Sequence, residues 1–345
     1  MTSVSSTSVE KILLVRIGHG GDLIMITPAL NALLEVFPDA EFHLLTTSDG
    51  RRIMAGYNER MTRFFPYSRR FPGSLLSRRG LSEQLRAEQY SRIYIFETKP
   101  LYRRWMSRLA PEVHALAGTS LGRHYSDRCL DLVADTPGVA PVRGWVTLPV
   151  SDQGRQQARD LLTEHGVDPK ARLVGLHPTF SGTGAMRLLN RRDTRHRLWP
   201  SASFARLATL LSERSRHLGL NLAVVIDALP EERKHVEPII EQSAGAITLL
   251  TPPPNFQRYK SLLSLLDVMV TPNTGPMHVA AALGTPLVAL FSDWSPEDCG
   301  PFMDPGKYRV LRAEDTEHPD RGLGSLEPEA VADAVMELLS EAADE

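Results

Sequence analysis

Residues 11–30 read KILLVRIGHGGDLIMITPAL. Ile12, Leu13, Leu14 and Val15 form a short apolar run flanked by Lys11 and Arg16. A strand buried on both faces has this form, as in a parallel sheet. Three glycines in four positions follow, Gly18, Gly20 and Gly21, then Asp22, then an apolar stretch of helical length. Strand, glycine turn and helix in that order set backbone N–H groups and one carboxylate at the carboxyl edge of a sheet. That edge is where α/β proteins hold ligands. The turn does not give the dinucleotide spacing G-x-G-x-x-G, because Leu23 stands where the third glycine would be.

Working outward, strands are expected at 41–46, 61–65 and 92–96, with helices at 50–55, 74–90, 102–109 and 126–134. Repeated β-α units imply a parallel, doubly wound sheet. Residues 136–145 carry Pro137, Gly138, Pro141 and Gly144 and read as a linker. Beyond it lie strands at 173–177, 220–226, 246–249, 268–271 and 287–291. They alternate with helices at 152–165, 201–216, 231–244, 256–266 and 276–283. A last helix, 328–342, could pack on either half. The expected organisation is a disordered tail (1–10), an N-terminal α/β domain (11–150), a C-terminal α/β domain (151–327) and a C-terminal helix (328–345). A cleft between the two α/β domains is the expected ligand site.

The 345 residues carry a net charge of -2, which disfavours a nucleic-acid binder. The charge is uneven. Residues 51–128 hold 15 Arg and one Lys against six acids. The excess fits solvated helix faces, an anionic partner, or peripheral contact with an anionic membrane surface. The two cysteines, Cys129 and Cys299, suit a reducing compartment and give no zinc-site spacing. No run of 18 apolar residues occurs, and the first ten residues lack the apolar core of a signal peptide. The expected location is the cytoplasm, at most at the cytoplasmic face of the inner membrane.

Two further stretches carry chemistry. In VTPNTGPMHVAAALGTPLVAL, residues 270–290, Asn273 or Thr274 can cap a helix that starts near Pro276. The N–H groups of Gly275, Met277 and His278 would then make an anion site at the helix N-terminus. A plain N-cap for Asn273 and a core position for His278 are the structural alternatives. Residues 177–200, HPTFSGTGAMRLLNRRDTRHRLWP, leave a strand end and pass Thr179, Ser181, Gly182 and Thr183. They return through several arginines, among them Arg197. Hydroxyls, glycine N–H groups and guanidinium are phosphate ligands. There is no GxxxxGK[ST] loop, no D-x-D pair and no HExxH.

Together the segments R-I-G-H-G-G-D-L-I-M-I-T-P-A-L, H-P…R-L-W-P and N-T-G-P-M-H-V-A-A-A-L-G-T-P resemble glycosyltransferase family nine, the ADP-heptose:lipopolysaccharide heptosyltransferases. The resemblance implies a GT-B architecture, two Rossmann-like doubly wound parallel-sheet domains facing a cleft. It implies an inverting, metal-independent transfer of a sugar, as heptose from ADP-heptose, to an anionic glycan or glycolipid such as lipopolysaccharide core. By position, Asp22 matches the catalytic base, with Gly18, Gly20 and Gly21 on the acceptor side. Arg103 and Arg104 would meet the anionic acceptor. Arg197 stands where the family has lysine, and Glu231 or Glu232 falls near the donor ribose. Asn273 stands where many members have aspartate, followed by Thr274, Gly275, Pro276, Met277 and His278. The nucleotide sugar is a co-substrate, and no metal or other cofactor is expected. A nucleotide-sugar 2-epimerase and a non-catalytic nucleotide-sugar binder are the alternative readings. A structural alternative for Asp22 is the N-cap of a helix beginning at Leu23.

Overall fold

The computed structural model describes residues 9–68, 73–118, 122–139, 144–178 and 196–344. The chain divides into two compact units, Met1–Leu148 and Pro149–Glu345. The division falls at the Leu148-Pro149 step.

Unit 1 is built on five parallel strands: β1 (Lys11–Val15), β2 (Glu41–Thr46), β3 (Met61–Pro66), β4 (Arg92–Ile95) and β5 (Glu112–Ala115). They lie in the order β3-β2-β1-β4-β5. Its helices are α1 (Gly20–Ile24), α2 (Thr27–Val36), α3 (Ser48–Met54), α4 (Gly73–Ala87), α5 (Pro100–Met106) and α6 (Tyr125–Ala134). The chain winds outward from β1 in both directions, so the topological switch lies between β1 and β4. Every residue of β1 from Ile12 to Val15 is fully buried, which accounts for its unbroken apolar run. Leu13, Val15, Ile93 and Ile95 pack with Leu45, Phe65, Tyr102 and Met106 in one core.

The single helix expected after the glycine turn is two. Pro28 has no N–H to give to the Ile24 carbonyl. The Thr27 hydroxyl donates to that oxygen instead, at 2.8 Å, and the chain restarts as α2.

Unit 2 carries six parallel strands: β6 (Arg172–Leu176), β7 (Leu222–Asp227), β8 (Ile247–Leu250), β9 (Val268–Pro272), β10 (Leu287–Phe291) and β11 (Tyr308–Arg312). Their order is β11-β10-β9-β6-β7-β8, with the switch between β6 and β9. Its described helices are α7 (Asp152–Glu164), α8 (Ser201–Leu218), α9 (Arg233–Gln242), α10 (Phe256–Leu263), α11 (Gly275–Leu283), α12 (Pro296–Cys299) and α13 (Pro328–Asp344). The last helix belongs here: Val331, Val335 and Leu338 join Phe204, Leu211, Val270 and Leu290 in the core. Trp199 anchors the start of α8. Its ring meets Phe204 edge-on at 4.7 Å and its Nε1–H donates to the Leu326 carbonyl at 2.9 Å.

β5 and β11 were not expected from the sequence. Both are edge strands with half-buried residues, so neither carries a continuous apolar run. Among the described residues, no helix is long and apolar enough to cross a membrane.

Candidate active site

Asp22 sits at the third position of α1, where His19 is the N-cap. It is therefore not the N-cap itself, as the structural alternative had it. Its Oδ2 accepts the His19 backbone N–H at 3.0 Å, so the carboxylate reaches back to the mouth of its own helix. The same Oδ2 lies 2.7 Å from Arg16 Nη2. Among the described residues, none is hydrogen-bonded to Oδ1. The Asp22 side chain keeps 32% of its surface exposed. One oxygen is thus fixed, and among the described residues the other is left unbonded.

Arg16 leaves the carboxyl end of β1, and Glu97 leaves that of the neighbouring β4. The parallel pairing brings them together across the switch point. Arg16 Nη1 lies 3.1 Å from Glu97 Oε1, and the Ile17 N–H donates to that oxygen at 2.6 Å. Arg16 also donates to the Phe96 carbonyl at 3.3 Å, and its guanidinium stacks 4.9 Å from the Tyr125 ring centroid. The Tyr125 hydroxyl donates to the same Phe96 carbonyl. Burial pushes that hydroxyl well above the usual tyrosine range, so it remains a donor. Cys129, one turn along α6, is fully buried, and burial pushes its thiol up to about 12 despite Arg16 nearby. It is no nucleophile at neutral pH.

The glycines of the turn have unequal roles. A Cβ on Gly18 would lie 2.5 Å from Asp22 Oδ2 and 2.6 Å from Arg16 Nη2. The space beside Gly18 is therefore filled by the ion pair. A Cβ on Gly20 would meet only the Ile53 side chain, at 2.4 Å. Gly21 is buried. Arg103 and Arg104 lie in the last turn of α5 with exposed side chains, and neither bonds a residue of the Asp22 cluster.

In unit 2, Arg197 Nη2 donates to the Asn273 carbonyl at 3.5 Å, which brings together two of the expected donor-side residues. Gly322 has φ +58° and packs against the His196 backbone, where a Cβ would lie 2.5 Å from His196 Cα. Only glycine fits there, and the contact docks the segment that carries Arg197. Thr179, Ser181, Gly182 and Thr183 lie outside the described residues.

The α11 N-terminus differs from expectation in detail. The Asn273 amide donates to Cys299 Sγ at 3.5 Å and does not cap the helix. Thr274 occupies the N-cap position in extended conformation without a side-chain cap, and its hydroxyl meets that of Thr271 at 3.2 Å. The Met277 N–H is not free: it donates to the Thr274 carbonyl at 3.1 Å. Pro276 offers none. Gly275, the first residue of α11, is exposed. Met277 and His278 have buried side chains, so the helix turns them to the protein interior.

Glu231 and Glu232 follow β7 in a 3-10 turn, Pro230–Glu232. Glu232 accepts the Leu229 N–H at 2.9 Å, while Glu231 is exposed. Among the described residues, no group of three or more His, Cys, Asp or Glu side chains could hold a metal ion.

Two doubly wound parallel sheets, each with polar residues at the carboxyl ends beside its switch point, match the GT-B fold of solved heptosyltransferase structures. The glycosyltransferase family 9 structure from Veillonella parvula DSM 2008 matches with TM-score 0.79 at 20% identity, over 96% of this chain and 97% of that one. The E. coli ADP-heptose lps heptosyltransferase II matches with TM-score 0.71 at 20% identity, over 96% and 99%. A curated relative, lipooligosaccharide heptosyltransferase 2 of Haemophilus influenzae, is 28% identical over 114 residues. That match spans 33% of this chain and 32% of the relative, about a third of its length. The family model for glycosyltransferase family 9 (heptosyltransferase) matches residues 114–329, and the chain belongs to that family.

Arg16 and Glu97 escaped the sequence reading. Their signal was present: each is the first charged residue after an apolar strand run, KILLV-R and RIYIF-E.

Proposed function

We propose that this protein is an inverting heptosyltransferase that moves heptose from ADP-heptose to a hydroxyl of an anionic glycolipid such as lipopolysaccharide core. The observation that carries the reading is the Asp22 carboxylate, with Oδ2 fixed by Arg16 and the His19 N–H, Oδ1 unbonded among the described residues, and the side chain 32% exposed. Asp22 takes the proton of the acceptor hydroxyl as that oxygen bonds to the anomeric carbon. The bond from the anomeric carbon to the diphosphate breaks on the opposite side, through an oxocarbenium-like state. ADP leaves with the electron pair.

Countercharge for the diphosphate is assigned to Arg197, to the 179–184 segment and to the α11 N-terminus, without a metal ion. Glu231, exposed beside the end of β7, is the better placed of the two glutamates for a ribose hydroxyl. The exposed Arg103 and Arg104 are assigned to the anionic acceptor. The reaction is placed in the cytoplasm, at the inner face of the membrane that holds the acceptor. The ADP-heptose and lipopolysaccharide in the name of the E. coli structure support this choice of substrates.

Incubation with ADP-heptose and heptose-deficient lipopolysaccharide, in EDTA, followed by mass spectrometry, tests the reading. A heptose-mass increment on the acceptor is expected. An epimerised nucleotide sugar without acceptor would indicate an epimerase. Nucleotide binding without any product would indicate a non-catalytic binder.

A further inference from the structure

We propose that Arg16 and Glu97 form a charge-sharing clamp that positions Asp22 and sets its basicity, an inference that rests on the reading of Asp22 as the base. A carboxylate paired to a whole guanidinium is well held but a weak proton acceptor, because the cation stabilises the ionised form. Here the guanidinium is divided. Nη2 goes to Asp22 at 2.7 Å, and Nη1 goes to Glu97 at 3.1 Å and to the Phe96 carbonyl at 3.3 Å. Arg16 and Glu97 are both over nine-tenths buried, whereas the Asp22 side chain keeps 32% of its surface exposed. A buried cation is held with two carboxylates around it, so the second carboxylate offsets the charge that the first would otherwise meet alone.

The clamp is rigid by construction. Glu97 is fixed by the Ile17 N–H at 2.6 Å, and the Arg16 guanidinium carbon lies over the Tyr125 ring, 4.9 Å from its centroid. The Phe96 carbonyl accepts from both Arg16 and Tyr125. Asp22 therefore needs no search for its rotamer when the acceptor arrives. The other titratable or charged groups around the cluster are few. α6 contributes Tyr125, Cys129 and Arg128; burial keeps the first two neutral, and Arg128 donates to the Gly118 carbonyl. His19 contributes its backbone N–H, and α3, packed on α1, carries Asp49, Arg51 and Arg52, all exposed.

The test is the pH profile of kcat/KM for heptose transfer from ADP-heptose to heptose-deficient lipopolysaccharide. Glu97→Gln keeps an oxygen for the Ile17 N–H but removes the second charge. Arg16 then acts on Asp22 undivided, and the acid limb moves down by about one pH unit while kcat falls roughly tenfold. The paired change Arg16→Met with Glu97→Gln removes both charges and leaves no buried ion alone, and it moves the acid limb up by a similar amount. ADP affinity within about twofold of wild type, read by calorimetry, shows that unit 2 is intact, and circular dichroism melting monitors unit 1.

If either variant fails to fold, Arg16→Lys tests the positioning part of the clamp through kcat against KM. Its single ammonium cannot fork to both carboxylates, and kcat should fall roughly tenfold with the ADP-heptose KM unchanged. Opposite movements of the acid limb support the clamp. Unmoved profiles, with Asp22→Asn inactive, would overturn it and leave the base reading standing. An active Asp22→Asn variant would instead overturn the base reading itself.

Discussion

Arg16 and Asp22 meet at 2.7 Å, and a Cβ on Gly18 would lie 2.5 Å from Asp22 Oδ2 and 2.6 Å from Arg16 Nη2. The glycine is demanded by space, since any Cβ there would press on both charged groups at once. Gly18→Ala should therefore displace the carboxylate, and a displacement of about 1 Å costs roughly a hundredfold in rate. Gly80 of α4 has open space where a Cβ would go, so Gly80→Ala is the matched control, with unchanged kinetics and equal or higher melting temperature. Steady-state transfer assays on the two variants make the comparison. Equal rates for both would remove the packing argument.

Arg197 is assigned to the leaving diphosphate. A charge-assisted contact of this kind is worth about 1.5–3 kcal/mol. Arg197→Ala should thus weaken ADP binding by roughly ten- to a hundredfold in calorimetric titration. Arg197→Lys should recover part of the loss, because an ammonium supplies the charge without the planar fork. Unchanged ADP affinity in Arg197→Ala would return the side chain to a scaffold role on the Asn273 carbonyl.

His43 supplies a pH dependence of stability separate from the site. It is buried in β2, with Nδ1 2.8 Å from the Tyr90 hydroxyl. Burial pushes its pKa down, against the pull of Glu88. The folded protein thus binds this proton less readily than the unfolded chain, whose histidine titrates near ~6.5. Its contribution to stability is complete above that pH and is lost as pH falls from there through the lower folded value. Melting temperatures measured from pH 8 to 5 should decline below about 6.5, and His43→Gln should flatten that segment. An identical slope in the variant would place the effect elsewhere.

The two thiols should differ in reactivity. Cys129 is fully buried with its thiol pushed up to about 12, whereas Cys299 is half-buried beside Asn273. A thiol reagent at pH 8 should label Cys299 in the native protein and Cys129 only on unfolding. Peptide mass spectrometry reads the sites. Fast native labelling of Cys129 would contradict the buried environment described for α6.

The central strands were legible in the sequence because burial on both faces writes an unbroken apolar run, as in Ile12–Val15 and Leu287–Phe291. β5, EVHA, and β11, YRVLR, were not, because at a sheet edge that signal fades. Asp22 was legible from the glycine turn in front of it. Glu97, the second carboxylate on Arg16, was not, because it lies 80 residues from Ile17, the residue whose N–H it accepts, and only strand pairing joins them. At the α11 N-terminus the spacing allowed a cap at Asn273 or Thr274; the N-cap position falls on Thr274, whose side chain makes no cap bond, while the Asn273 amide meets Cys299.

The measurement that tests the central claim most directly is heptose transfer by Asp22→Asn. Asparagine keeps an oxygen for the His19 N–H and the size of the side chain, but it cannot accept the acceptor's proton. Single-turnover transfer from ADP-heptose to heptose-deficient lipopolysaccharide should fall by roughly 10² to 10⁴-fold. The melting temperature and ADP affinity should match wild type. Transfer by Asp22→Asn at a rate close to that of wild type would contradict the assignment of Asp22 as the base.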